Sequence, residues 1–357
     1  IMAYAGKPQV LRWYNSGLVE ELILNQGPIT KPEIAQITQL SLPTVNKIVE
    51  ELVGNGVVIE NGMQNSNSVG RRAKTYIING NVGSLLSVYF IDNKWIGNAY
   101  NMLGYEIAKA EYPCHSQSKL TDLYTVIDEL KSSAPKAKAI GVGIPGGVLK
   151  NGRVESIPAI PELKGVFLAD LLEEKYSVPV VVENDVKLMT VGYYSKKTQN
   201  VDNILFIYIG SRIGAGLIIN GQLYKGNNSF AGELGYMPLF KKNEEKAQSE
   251  YGGNLEGRLT ELKKKNDMES FYKLLGVTLS DCTTVINPEV IVLYSTEYED
   301  IDTNIVEAEM LKYLPSYCIP QICFTTDYNY GFDGLLQMCR EISQNECWLQ
   351  DIVEEKG

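Results

Sequence analysis

An apolar strand pattern at residues 178–182 ends in Glu183-Asn184-Asp185, and a helical pattern then runs on to about residue 194. Polar groups just past the C-terminal ends of strands are where α/β sheets build their sites. A carboxylate there can take a proton from a hydroxyl as a general base. Asn184 and Asp185 would also serve as helix N-caps, a purely structural role for the same pair. A second stretch, residues 206–236, reads FIYIGSRIGAGLIINGQLYKGNNSFAGELGY. The run 204–209 is β-branched and apolar, as in a buried strand. A glycine-rich turn follows, Gly210-Ser-Arg-Ile-Gly214-Ala-Gly216. Such a turn lets backbone N–H groups approach an anion such as phosphate, and it also occurs as an ordinary hairpin. Asn220-Gly221 then marks a tight hairpin turn.

Residues of a different chemistry sit near the start. Leu11, Tyr14, Leu18 and Leu22 make a helical stripe that ends at Gly27-Pro28. Thr30 with Glu33 forms a capping box for a second helix, with Pro32 in its first turn and Ile34, Ala35 and Ile37 expected inward. Leu40-Ser41 makes a turn, and Ser41 caps a third helix over residues 42–53, whose buried stripe is Val45, Ile48, Val49 and Leu52. Ser41, Thr44, Asn46 and Lys47 are left at its exposed N-terminal end. This is the helix-turn-helix plan, whose second helix enters the major groove with its N-terminal residues at the base edges. Strands at 57–60 and 75–78 flank a polar loop, residues 61–74, which holds Gly70-Arg71-Arg72. That is a wing, and its arginines suit the narrow, negative minor groove. The other reading is a helical bundle for protein contacts, with Arg71 and Arg72 in a solvated loop.

These elements must sit on a larger frame. At 357 residues the chain suggests two or three domains, and its 44% hydrophobic content supplies a sizeable core. The net charge of −10 argues against a generally basic nucleic-acid coat. Residues 1–80 carry a net +1, so the remainder carries −11, as expected of a neutral-to-basic module on an acidic body. Cysteines at 114, 282, 318, 323, 339 and 347 form no Cys-x-x-Cys pair, and His115 is the sole histidine. The pattern is one of reduced thiols, with neither a disulfide framework nor a zinc site. With no signal peptide and no long apolar run, a cytoplasmic chain without membrane contact is expected. Beyond a linker at 79–83, strand patterns at 85–91, 95–100, 106–112 and 139–144, with a helix at 120–131, argue for an α/β body.

Residues 206–236 resemble the second phosphate turn of the ROK family (repressors, uncharacterised frames and sugar kinases), followed by that family's Glu-x-Gly-His signature. Here the signature stands as Glu233-Leu234-Gly235-Tyr236. The first 80 residues resemble the winged helix-turn-helix of ROK repressors, down to the glycine-arginine wing, a block that the family's kinases lack. The resemblance implies a two-lobed, actin- and hexokinase-like body of duplicated ribonuclease-H-like lobes. Its expected divisions are a DNA-binding domain at 1–80, a first lobe at 81–199 completed by a C-terminal helix within 330–357, and a second lobe at 200–329. It also implies that Asn184 and Asp185 hold a sugar, Asp185 being the base position, and that Glu233 and Glu256 bind sugar hydroxyls. Tyr236 takes the place of the histidine.

The departures from the family point away from catalysis. Phosphoryl transfer is almost all positioning and charge neutralisation, so a kinase needs its phosphate cradles. The family's first cradle corresponds to Tyr89-Phe90-Ile91-Asp92-Asn93-Lys94, which has no glycine. The second has Ser211-Arg212 where Thr-Gly is usual, and Tyr294-Ser295 replaces a Gly-Gly near the adenosine. The family's zinc-binding cysteines are missing from residues 248–256, so no metal and no cofactor is expected. The resulting expectation is a sugar-responsive transcriptional regulator, a repressor released from operator DNA by a neutral monosaccharide, working as a homodimer or higher homo-oligomer. The rivals are an ATP-dependent sugar kinase with an appended DNA-binding domain, and a DNA-binding protein whose body only dimerises.

Overall fold

The computed structural model describes residues 8–65, 72–114, 118–196, 201–210, 212–239 and 254–354. Helix α1 (Pro8–Gln26) is followed by a short strand β1 (Ile29–Thr30), then α2 (Lys31–Thr38), α3 (Leu42–Gly54), β2 (Val58–Asn65) and β3 (Arg72–Ile78). The expected capping box is present: the Glu33 amide donates to the Thr30 hydroxyl, and the Glu33 carboxylate accepts from the Thr30 N–H at 2.8 Å. Ser41 caps α3 by accepting from the Thr44 N–H at 3.3 Å. Val45, Ile48, Val49 and Leu52 are buried, as their spacing requires. The strands pair in the order β1-β3-β2 and reach further into the wing than the sequence patterns indicate, to Asn65 and from Arg72.

Two expectations for this unit fail. Leu11 and Tyr14 are exposed, and α1 instead buries Val19, Leu22 and Ile23 against α2, α3 and β3. Ile37, expected inward, is exposed, because α2 is short and turns only Ile34 fully into the core.

The body begins with β4 (Ser84–Ile91), β5 (Lys94–Asn101) and β6 (Glu106–Pro113), then α4 (Lys119–Ser133), β7 (Ala137–Ile144), β8 (Gly147–Val148), β9 (Val154–Glu155), α5 (Leu168–Tyr176), β10 (Val180–Asn184) and α6 (Asp185–Ser195). A second run follows: β11 (Ile204–Ile209), β12 (Ile213–Ile219), β13 (Gln222–Leu223), α7 (Asn254–Lys264), α8 (Met268–Ile286), β14 (Val290–Tyr294), α9 (Thr303–Met310), β15 (Gln321–Thr325) and α10 (Asn329–Glu354). The two large sheets have strand orders β10-β7-β4-β5-β6 and β13-β12-β11-β14-β15. In each, an antiparallel three-strand meander is extended by two parallel strands on the side of its first strand. Both halves therefore share one topology, the duplication expected of two ribonuclease-H-like lobes. Each sheet packs its own apolar cluster, one around Trp95 and Ile127, the other around Phe271 and Leu293.

Between the sheets, α6 and α10 cross at glycines. A Cβ on Gly192 would lie 1.9 Å from the Tyr330 carbonyl oxygen, and one on Gly334 would lie 2.0 Å from that of Leu188. Helix α10 also packs on β4 and β7 of the first sheet. The glycine-rich stretch at 210–216 is not one long turn. Gly214 and Gly216 lie within β12, and a Cβ on Gly216 would strike the Thr190 hydroxyl at 1.9 Å. These glycines let α6 lie against the second sheet, a need set by a helix far away in sequence.

Candidate functional site

The strand-to-helix junction of β10 and α6 puts Asn184 and Asp185 at the mouth of the cleft between the two sheets. Asn184 is the N-cap of α6: its side-chain oxygen accepts from the amides of Val186 and Lys187 at 3.1 and 3.2 Å. Its amide group donates to the Gly146 carbonyl at 3.2 Å and to Asp185 Oδ1 at 2.9 Å. Asp185 Oδ1 also accepts from the Val186 N–H at 2.8 Å. Capping and presentation of the carboxylate are thus one arrangement. Burial raises the Asp185 pKa, and the Arg212 guanidinium opposes that shift.

The opposite wall comes from the loop after β13. Gly232 has φ +94°, and a Cβ there would meet the Ala215 carbonyl oxygen at 1.9 Å, so only glycine lets this loop lie on β12. Ala215 N–H donates to the Gly232 carbonyl at 2.7 Å, which fixes Glu233 beside the strand. A Cβ on Gly235 would lie 3.0 Å from Glu256 Oε2, so the missing side chain makes room for that carboxylate at the start of α7. Burial raises the Glu233 pKa, opposed by Lys187 and reinforced by Asp185 and Glu256. Tyr236 packs against Phe230 with ring centroids 5.5 Å apart and planes tilted by 49°.

Asn184, Asp185, Glu233, Tyr236 and Glu256 all line a single cavity of about 530 Å3. Arg212, from the second sheet, crosses the cleft and donates to the Pro145 carbonyl at 3.1 Å. Lys187 gave no sign of importance in the sequence. It is buried behind the wall, donating to the Ser229 carbonyl at 2.6 Å, with its pKa lowered by burial and supported by Glu183 and Glu233. Glu183 is itself buried and paired with Lys225 at 2.5 Å. Glu183 lies only four residues before Lys187, but Ser229 and Glu233 are remote in the chain, so local spacing alone does not mark Lys187.

At the other end of the molecule, α3 presents Ser41 and Lys47 to solvent, with Thr44 and Asn46 half-buried. The hydroxyls of Ser41 and Thr44 are 2.7 Å apart. Arg71 lies outside the described residues, and for Arg72 only the backbone is described, at the start of β3.

Residues 106–261 match the ROK family, and residues 19–59 match a winged helix-turn-helix DNA-binding family. The chain is thus similar to the ROK family across much of its body, with a winged helix-turn-helix match before it. It is 26% identical over 246 residues to the xylose repressor of Caldicellulosiruptor bescii, covering 66% of this chain and 61% of that one. It is 25% identical over 323 residues to the xylose repressor of Bacillus subtilis, covering 80% and 83%. The match thus spans about 61% of the length of the first of these relatives. In three dimensions it is similar to a ROK family transcriptional regulator described as a homologue of the E. coli MLC protein, with TM-score 0.79 and 19% identity over 96% of this chain and 99% of that one.

The stretches read from the sequence as counterparts of the family's phosphate turns carry bulky side chains. The first is a tight β4–β5 turn with Asp92 and Asn93 at φ 49° and 58°. Tyr89 fills the space behind it, so close that a Cβ on Gly143 or Gly331 would meet its ring at 2.5 or 2.6 Å. At the second, the Gly210 N–H donates to the Arg212 carbonyl at 2.9 Å, and the Tyr208 hydroxyl would lie 2.3 Å from a Cβ on Gly210. Ser295, in place of glycine, is buried and donates to the Ile209 carbonyl at 2.6 Å. Residues 240–253, which include most of the stretch matching the family's zinc-binding run, lie outside the described residues.

Proposed function

We propose that this chain is a sugar-responsive DNA-binding repressor that does not phosphorylate its sugar. The observation that carries the reading is the cleft itself. One cavity gathers Asp185, Glu233 and Glu256, and the stretches read as phosphate turns line it with Tyr89, Asp92 and Tyr208 in place of glycines. Carboxylates accept hydrogen bonds from sugar hydroxyls, which need no phosphate cradle. An Asp92 carboxylate at the first turn repels a phosphate instead of holding it. The names of the repressor relatives agree with this assignment.

In this reading residues 1–80 form the DNA-binding domain, residues 81–199 with 330–357 one lobe, and residues 200–329 the other. Ser41, Thr44, Asn46 and Lys47 face operator DNA, and Arg71 and Arg72 reach the minor groove. Operators of two-fold symmetry call for a homodimer or a higher assembly of even symmetry. A sugar held by Asn184 and Asp185 on one side and by Glu233, Tyr236 and Glu256 on the other draws the lobes together, and so selects one conformation of the body.

The test is incubation of the full chain with magnesium, millimolar ATP and a panel of hexoses and pentoses. The expected result is no sugar phosphate above background. Sugar phosphate that forms in wild type and disappears in Asp185→Asn would make the chain a kinase with an appended DNA-binding domain.

A further inference from the structure

Lys187, in the first turn of α6, is 1% exposed, and among the described residues it is the one buried lysine. A buried ammonium costs free energy unless acceptors and opposite charges meet it, and an apolar residue of similar size packs without that cost. Lys187 does not line the cavity, but the groups it meets belong to the cavity wall.

Its Nζ donates to the Ser229 carbonyl at 2.6 Å. Ser229 has φ +67°, a conformation that a side chain disfavours and that lasts only where the surroundings hold it. The loop that carries Ser229 has two further ties. Lys225 pairs with Glu183 of β10 at 2.5 Å, and the Gly232 carbonyl accepts from the Ala215 N–H at 2.7 Å. Glu183 also accepts from the Asn184 N–H at 2.8 Å. This loop ends at Glu233 on one wall of the cavity, while Asn184 and Asp185 stand on the other. The bonds of Lys187 and Glu183 thus join the two walls from behind.

The charges there are unevenly shared. Glu183 from β10, Asp185 from α6, Glu233 from the loop and Glu256 from α7 bring four carboxylates. Lys187 from α6, Lys225 from the loop and Arg212 from the turn after β11 bring three cations. Lys225 is paired with Glu183, and Arg212 acts on Asp185. Burial raises the Glu233 pKa; among the charges around it Lys187 opposes that most, ahead of Arg212, while Asp185 and Glu256 add to it. An ionised carboxylate accepts through both oxygens, and protonation turns one of them into a donor.

We propose that Lys187 is a positioning residue of the sugar site: its ammonium ties the loop of Glu233 to α6 and supplies the buried positive charge that Glu233 faces. This rests on the sugar-receptor reading above and names a residue outside the cavity on which that site depends. Without this charge Glu233 stands with Asp185 and Glu256 and takes up a proton at higher pH. Sugar binding then fails sooner as the solution is made acid.

The test is calorimetric titration of the full-length chain with glucose, xylose and N-acetylglucosamine at a series of pH values on the acid side of neutrality. Lys187→Met is expected to weaken the tightest of these sugars about tenfold or more near neutral pH and to raise the pH at which binding is lost by about one unit or more. Lys187→Gln, whose amide can still donate to the Ser229 carbonyl, carries the same expectation for the acid limit if the methionine variant does not fold. In a Glu233→Gln background neither substitution should move the acid limit. A Lys187 variant that binds like wild type at every pH would overturn the inference and leave the receptor reading intact. Weakening by one factor at every pH, the mark of a lysine that only packs, would overturn it too, as would a move of the acid limit that persists in Glu233→Gln. If wild type binds none of the three sugars, or Glu233→Ala binds them as wild type does, the receptor reading falls and the inference with it.

Discussion

Asn184 and Asp185 divide between them two roles that the sequence leaves open for Asp185. The position of Asp185 after a strand fits both a helix cap and a hydroxyl-binding carboxylate. The structure gives the capping to Asn184 and leaves Asp185 facing the cavity, linked to it by the 2.9 Å bond from the Asn184 amide. Local signals of this kind were legible: Thr30, Glu33 and Ser41 all cap where their spacing says. Lys187 was not, since its burial depends on the distant Ser229 and Glu233. Two predictions belong to this scale. Lys47 is exposed in the second turn of α3, so Lys47→Ala should weaken operator binding and lower the salt slope by about 1 if it meets a phosphate. Equal affinity and slope in wild type and variant would remove Lys47 from the DNA surface. The second concerns Glu20 on α1, whose carboxyl is pushed up from 4.5 to about 6 by burial. A raised carboxyl pKa means that the folded chain holds the proton more tightly than the unfolded chain does. The penalty is therefore absent below pH 4.5 and complete above pH 6. Glu20→Gln should accordingly stabilise the chain by about 1–2 kcal/mol near neutral pH and by almost nothing in acid. Thermal midpoints of both proteins at the two pH values check this, and an equal gain at both would show that the carboxyl is not strained.

At the scale of elements, strands and helices were legible and their faces less so. The strand pattern at 204–209 and the buried stripe of α3 need only local periodicity. The exposed Leu11 and Tyr14 belong to a helix with apolar residues on more than one side, and its inward face is set by α2, α3 and β3. Gly214 and Gly216 looked like part of a phosphate turn because a sequence cannot say whether a glycine serves a turn or a neighbour. Their neighbour is α6. The crossing of α6 and α10 gives the corresponding prediction. Gly334 has no room for a Cβ, which would lie 2.0 Å from the Leu188 carbonyl oxygen. Gly334→Val must push the helices apart and should cost at least about 2 kcal/mol of stability. A urea midpoint equal to that of wild type would mean that the crossing is looser than described. The same displacement would carry Asp185, at the start of α6, away from Glu233.

For the whole molecule, the repeated strand order explains why the site lies where it does. Two sheets of one topology face each other across α6 and α10, so the strand-end junction of one lobe meets a loop of the other. The duplication is not visible as sequence identity within the chain, and it emerged through the family resemblance and then through the matching sheets. What the sequence could not supply is the placement of Tyr208 beside Gly210 and the bond of the Gly210 amide to the Arg212 carbonyl, since these are contacts within the fold. In the proposed function a shift between body conformations links the two ends of the chain, and a ligand can move that balance only by binding one of them better. Half-sites about one helical turn apart, roughly 34 Å, tolerate little change in the spacing of paired winged domains. The most direct measurement is affinity for an operator fragment, selected by the full-length chain from random duplex DNA, at fixed salt with and without a saturating sugar. Wild type should lose roughly 5- to 150-fold in operator affinity, the range of a 1–3 kcal/mol coupling, and Asp185→Ala and Glu233→Ala should lose little or none. A sugar that binds wild type while leaving its operator affinity unchanged would contradict the account.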